Sequence, residues 1–130
     1  MVLLKSLSDS NNMIEKLGVG IDISDICDFK KIPYQKKPGF YESIFQSSEI
    51  NYCLKFQDSS SHFAGKFALK EAVKKSINDD IYISKIETFH VNSKPMIKLL
   101  DSAKKYVFRA SISHEGNYAI AIVISELILK

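Results

Sequence analysis

The sequence predicts an α+β domain in which an antiparallel sheet carries one long packed helix. Strand-like alternation of apolar and polar residues occurs near both ends of the chain. A single unbroken helical run lies between them. The two kinds of segment are segregated along the chain, which favours α+β over a parallel α/β sheet. A chain of 130 residues suits one domain. It is too short for a doubly wound dinucleotide domain with a second substrate domain. With 45% hydrophobic and 25% charged residues, the composition is that of an ordinary globular protein. It excludes a disordered tail, a collagen-like fibre and a disulfide scaffold.

Residues 1–16 read as a polar lead-in and residues 17–130 as the domain. Met1–Leu4 followed by Lys5 lacks the basic start and long apolar core of a signal peptide. In Leu17–Ile23, Val19, Ile21 and Ile23 alternate with Gly20 and Asp22, a strand pattern that points Asp22 away from the apolar set. Ser24 or Asp25 caps a short helix through Phe29. Lys30–Pro38 is a basic loop with two of the three prolines. Ser47 and Ser48 open another helix before Glu49, Ile50 and Tyr52. Ser59–Ile77 is the long helix, ended by Asn78, Asp79 and Asp80. Ile81–Val91 and Met96–Leu99 read as strands joined through Asn92-Ser93-Lys94-Pro95. Leu100–Lys105 reads as one or two helical turns. Val107–Ser113 and Tyr118–Ile124 read as a hairpin turning at His114-Glu115-Gly116-Asn117.

The net charge of +3 is mild. It leaves room for an acidic partner or a phosphate ligand but falls short of a nucleic-acid binder. Aromatic residues do not interleave with the lysines as stacking platforms would. No nucleic-acid partner is expected. Cys27 and Cys53 form no CxxC pair and no zinc spacing, as reduced thiols of a cytoplasmic protein would. The apolar stretch Tyr118–Ile124 falls far below the roughly 20 residues a membrane-spanning helix needs. Gly18-Val19-Gly20 lacks the third glycine of a dinucleotide fingerprint. GxSxG and Walker sequences are absent.

Four features carry chemistry. Asp22 leaves an apolar strand between Gly20 and Ser24; it is either a solvated edge residue or cap, or a hard-oxygen ligand for Mg²⁺. Glu71 shares a helix face with Ala64, Ala68 and Lys75; it is either an exposed partner of Lys74 or Lys75, or a second ligand flanked by ammonium groups. Lys66, Lys70 and Lys74 recur every four residues as a stripe without matching acids, a solvated face or a phosphate-binding one. The helix holds four lysines against Glu71, a formal charge equal to that of the whole chain. His114 follows Ser111 and Ser113 at the hairpin; it is either a surface residue or a phosphate donor or proton-transfer group.

In order, the chain presents Gly18-Val19-Gly20-Ile21-Asp22-Ile23, then Phe45 with Glu49. Ala64-Gly65-Lys66-Phe67-Ala68-Leu69-Lys70-Glu71-Ala72 follows, then Asn92-Ser93-Lys94-Pro95, and last Ser111-Ile112-Ser113-His114 with Tyr118-Ala119. This set resembles the holo-[acyl-carrier-protein] synthase family, the small bacterial 4'-phosphopantetheinyl transferases, from about Leu17 to the C-terminus. The resemblance implies Mg²⁺-dependent transfer of 4'-phosphopantetheine from coenzyme A to a serine of apo acyl carrier protein, in fatty acid biosynthesis. It implies Asp22 and Glu71 as metal ligands and Glu71, Lys75 and His114 as catalytic residues. Lys66, Lys70, Lys75, Ser113 and His114 are implied as the coenzyme A contacts. It also implies a homotrimer with each site between two subunits, the Ser111–His114 hairpin coming from the neighbour. The serine proton has two routes, to Glu71 through a water or to a carboxylate of the carrier. A non-catalytic nucleotide- or carrier-binding protein on the same fold is the alternative, against which both Asp22 and Glu71 argue.

The chain departs from the family pattern at four places. Asp28 stands where the family usually has the Arg that docks the acidic carrier, with Lys30 and Lys31 nearby to substitute. Ser43 stands where a basic residue is usual. Lys66 replaces an Arg and so loses bidentate geometry toward phosphate. Asn92-Ser93-Lys94-Pro95 replaces Asn-Gly-Lys-Pro.

Overall fold

The computed structural model describes residues 16–129. The lead-in is therefore outside the described residues, apart from Lys16. Strand β1 (Leu17–Asp25) is followed by three short helices, α1 (Ile26–Lys31), α2 (Pro38–Glu42) and α3 (Ser47–Leu54). The long helix α4 spans Ser59–Ser76. Strands β2 (Ile86–Val91), β3 (Lys94–Leu99), β4 (Lys105–Glu115) and β5 (Tyr118–Leu129) complete the chain. An antiparallel sheet of order β1-β5-β4 and a β2-β3 hairpin both pack on α4. The architecture is α+β, as the segregation of elements predicted.

Local chemistry sets the helix ends. The Asp25 carboxylate accepts from the Cys27 N–H at 2.9 Å and starts α1. Pro38 begins α2, a helix the basic-loop reading of Lys30–Pro38 did not anticipate. Gln46 and Glu49 form a capping box at α3. Asp58 accepts from the Ser61 N–H to cap α4, and the chain turns extended at Ile77.

Helix α4 lies unusually close to β1. A Cβ on Gly20 would sit 1.9 Å from the Ala72 carbonyl oxygen, and one on Gly18 1.7 Å from that of Ser76. Only glycine permits this contact. Ala121 and Val123 of β5 meet Ala68, Ala72 and Val73 on the same face. A second core lies under α1–α3, where Tyr41 and Phe63 cross at 4.6 Å between centroids and Phe29 and Phe45 pack beside them. The Tyr41 hydroxyl donates to the Ile32 carbonyl at 2.6 Å, which ties down the basic loop.

The other face of the sheet is bare in the single chain. Val19 is 65% exposed, Ile21 and Ile23 are each 59% and Ile124 is 48%. The register aligns Val19 with Ile124 and Arg109, and Ile21 with Ile122 and Ser111, so these side chains form continuous rows. The near-continuous apolar run of β5 puts apolar side chains on both faces of the sheet. Only one is buried here, because α4 covers that side alone.

Four other expectations are corrected. Ile81–Val91 is a strand only from Ile86; Ile83–Lys85 is a short 3₁₀ turn. Leu100–Lys105 is not helical: the Leu100 N–H donates to the Lys85 carbonyl at 2.8 Å, Asp101 takes φ 60°, and β4 begins at Lys105. The β2–β3 turn is Asn92-Ser93 alone, at φ 50° and 66°. These positive angles suit a primed two-residue hairpin turn, and Lys94 and Pro95 already belong to β3. In the β4–β5 hairpin the turn shrinks to Gly116-Asn117, Gly116 taking φ 58°, and His114 pairs with Ala119 within the ladder.

Candidate active site

The candidate residues fall on two flanks of α4. On the β1 flank, the glycine-backbone contact brings Asp22 beside the helix. The Lys75 ammonium donates to Asp22 Oδ1 at 2.9 Å and to the Ile21 carbonyl at 3.1 Å. Glu71 lies one turn before Lys75, so the two share this flank. The Asp22 side chain is 17% exposed and that of Lys75 is 55% exposed. This flank carries two hard carboxylates and one exposed cation.

The β4 flank is a cavity of about 710 Å³ between α4, β4 and the β2–β3 hairpin. His114 enters from β4, its Nε2 3.2 Å from the Ser61 carbonyl oxygen. A Cβ on Gly65 would lie 3.3 Å from the same nitrogen, so the small residue makes room for the imidazole. Lys66 forms the inner wall. Its ammonium donates to the Thr88 carbonyl at 3.1 Å and hydroxyl at 3.0 Å and lies 4.7 Å from the Tyr52 ring centroid. Lys94 also lines the cavity, Arg109 borders it from the edge strand β4 with its register turning the side chain toward the bare face, and among the described residues no aspartate or glutamate lines it.

The lysine stripe needs correction. Lys66 and Lys70 point inward, not to solvent. Lys70 is fully buried and donates to Glu49 Oε1 and to the Ile44 carbonyl, both at 2.7 Å. Glu49 is therefore the acid that the stripe lacked on paper. Its other oxygen accepts from the Thr88 N–H at 3.0 Å and hydroxyl at 2.5 Å. With its protons directed into this network, Lys70 acts as an internal strut and does not line the cavity. Burial pushes its ammonium pKa down, opposed by Glu49. Lys66 is pushed down mainly by burial too, and burial pushes the neighbouring Cys53 thiol up to about 12. Cys27 and Cys53 are both free.

Ser113 and His114 do not act together in one chain. Adjacent strand residues point to opposite faces, so His114 faces α4 and the exposed Ser113 faces the bare apolar side. The cavity is also lined or bordered by residues that sequence reasoning missed: Tyr52, His62, His90 and Arg109. No motif spacing links them, because only the packing of the β2–β3 hairpin and β4 on α4 brings them together.

Asp22 and Glu71 suit Mg²⁺, which commonly takes one or two carboxylates and completes its shell with waters and phosphate oxygens. Among the described residues no group of three or more His, Cys, Asp or Glu converges as an all-protein metal cage.

Residues 18–123 match the 4'-phosphopantetheinyl transferase superfamily. The chain is 36% identical over 119 residues to the holo-[acyl-carrier-protein] synthase of Helicobacter pylori, covering 82% of this chain and 94% of that protein. It is 32% identical over 121 residues to the synthase of Geobacter sp., covering 84% and 97%. The crystal structure of the Helicobacter pylori synthase in complex with coenzyme A superimposes with a TM-score of 0.70, at 33% identity, covering 83% of this chain and 99% of that one. A Bacillus anthracis synthase in complex with CoA (3',5'-ADP) gives 0.69 at 27% identity, covering 84% and 95%. The chain belongs to the 4'-phosphopantetheinyl transferase superfamily.

Proposed function

We propose that this chain transfers 4'-phosphopantetheine from coenzyme A to a serine hydroxyl of an apo acyl carrier protein. The serine oxygen forms a bond to the phosphorus that bears the pantetheine arm, and the pyrophosphate P–O bond breaks. Adenosine 3',5'-bisphosphate departs with the bonding electrons. The observation that carries this reading is the pairing of a two-carboxylate flank with an acid-free cationic cavity on one helix.

Asp22 and Glu71 would hold Mg²⁺. When bound, the ion neutralises charge on the pyrophosphate and so eases departure of the nucleotide. Lys75 holds Asp22 in place and, being more than half exposed, is free to swing its ammonium toward a phosphate oxygen. The serine proton leaves toward Glu71, through a water. Lys66, Lys94 and His114 favour the phosphates of the nucleotide in the cavity.

The reading includes a homotrimer whose sites lie between subunits. Two facts support it. Monomers rarely expose an apolar patch beyond a few hundred Å², yet Val19, Ile21, Ile23, Ile122 and Ile124 form one bare face. The carboxylate flank and the His114 cavity also lie on opposite sides of α4, so a second copy is needed to bring them together. Ser113, on the bare face, would then meet the neighbour. Lys30 and Lys31, in the last turn of α1, would take the acidic carrier, with the exposed Asp28 altering the charge pattern beside them. We place the enzyme in the cytoplasm and in fatty acid biosynthesis. No helix among the described residues is long and apolar enough to cross a membrane.

The test is mass spectrometry of apo acyl carrier protein incubated with coenzyme A, Mg²⁺ and the enzyme. The carrier should gain one phosphopantetheine. Asp22→Ala or Glu71→Ala should slow this by more than the roughly 10–100-fold that loss of a residue behind a metal ligand costs. Full activity in either variant removes it from the metal site.

A further inference from the structure

The β4-flank cavity contains more imidazole than the proposed transfer uses. His62 and His90 line it beside His114. The His62 ring stacks on Phe56 at 3.7 Å between centroids. His90 stacks on Tyr52 at 4.9 Å, nearly parallel, and Tyr52 also receives the Lys66 ammonium. The Nδ1 atom of His90 is buried and has no hydrogen-bond partner among the described residues. A buried, unpartnered ring nitrogen at the wall of the cavity is an unmet polar group, which a turn of the ring would bring to a ligand.

The surroundings of the pair explain why it waits uncharged. His62 faces His114 from β4 and Lys66 from its own helix, with Asp58 opposing them. His90 faces Lys66 and His62. Tyr52 from α3 and Lys94 from β3 complete the wall, and Arg109 from β4 borders it. Glu49 and Glu87 act on Lys66; Glu49 is bonded to Lys70 and Thr88, and Glu87 to Ser48. Burial, then the neighbouring cations, hold both imidazoles below their ordinary value, so both are neutral at pH 7. A phosphate monoester entering the cavity reverses that balance, because nearby negative charge favours the protonated ring.

We infer that His62 and His90 are proton-coupled phosphate readers, which take up protons when a phosphate monoester binds and donate hydrogen bonds to it. The inference rests on the coenzyme A reading above, in which that monoester is the 3'-phosphate of the nucleotide. It adds two specificity-determining residues that lie outside every motif in the sequence. It also makes nucleotide binding tighten as pH falls.

The test is calorimetric titration of the full chain with adenosine 3',5'-bisphosphate, from pH 6 to 8.5, in buffers of different ionisation enthalpy. Binding should draw protons from the buffer near pH 7.5. The dissociation constant should fall with falling pH, by at most about tenfold per pH unit for each proton taken up. His62→Gln and His90→Gln should each reduce the uptake, and the double variant should reduce it to the level set by the ligand's own phosphate. Proton uptake undiminished in the double variant, or none in the unmutated chain, overturns the inference and leaves the transferase reading standing. Failure of the nucleotide to bind at any pH overturns both. NMR titration of the histidine rings in the unmutated chain needs no substitution. Both pKa values should rise when the nucleotide is added, and unchanged values overturn the inference.

Discussion

The two flanks of α4 differ in charge sign, in burial and in what holds them in place. The β1 flank carries Asp22 and Glu71, keeps Lys75 exposed, and is positioned by backbone against backbone at Gly20 and Ala72. The β4 flank carries Lys66 and His114, is a walled cavity, and is positioned by side chains from four elements. A phosphoryl-transfer site needs both kinds of surface, negative for the metal and positive for the phosphates. One helix bears both but points them apart. The contrast teaches that half of each proposed site is to be sought on a second copy of the chain.

The largest effect should come from mixing subunits. Asp22→Ala and His114→Ala should each be strongly impaired alone. Mixed after dissociation and reassociation, they should regain up to about a quarter of the wild-type rate, because that share of interfaces pairs an intact carboxylate flank with an intact cavity. No recovery in carrier modification would mean that both flanks serve the same subunit, or none together.

A second prediction sharpens the difference between cations of one helix. Lys70→Met leaves Glu49 buried without its ammonium, so denaturant unfolding should show a loss of about 3–5 kcal/mol. Lys75→Met removes only an exposed partner of Asp22 and should change stability by less than about 1 kcal/mol while it slows transfer. Equal stability losses would refute the division into strut and site.

The smallest effect should follow charge reversal at Lys30 and Lys31. Exposed ion pairs are worth about 0.2–1 kcal/mol each, so KM for the carrier should rise a few-fold, less at high salt, with coenzyme A binding unchanged. An unchanged KM takes α1 out of the docking surface.

Local patterns in the sequence announced most of the fold. The alternation in Leu17–Ile23, the run Ser59–Ile77 and the final hairpin each carry their period within a few residues. The carboxylate flank was readable for the same reason: Asp22 and Glu71 stand in compact motifs. The cavity was not readable. Lys66 and Lys70 look like a surface stripe until Glu49, which precedes Lys70 by 21 residues, turns inward with the fold of α3. His62 and His90 are 28 positions apart and come to one cavity only because β2 packs on α4. What covers the bare sheet face was not readable, because the alternation of a strand records which residues are apolar and not what lies against them. Leu100–Lys105 was misread as helical because the backbone bond from Leu100 to Lys85, a long-range contact, holds it in a bent, non-helical course.

The seam at Gly18 and Gly20 has a consequence for how this protein can drift. Side chains elsewhere can exchange volume with their neighbours, since a larger residue on one side is offset by a smaller one opposite. Two main chains in contact have nothing to exchange. The carboxylate flank is therefore spaced by covalent geometry alone, a gauge without an adjusting screw. Substitution is freer on the other side of the helix, where Lys66 and two histidines form the wall and ligand preference can be retuned without moving Asp22.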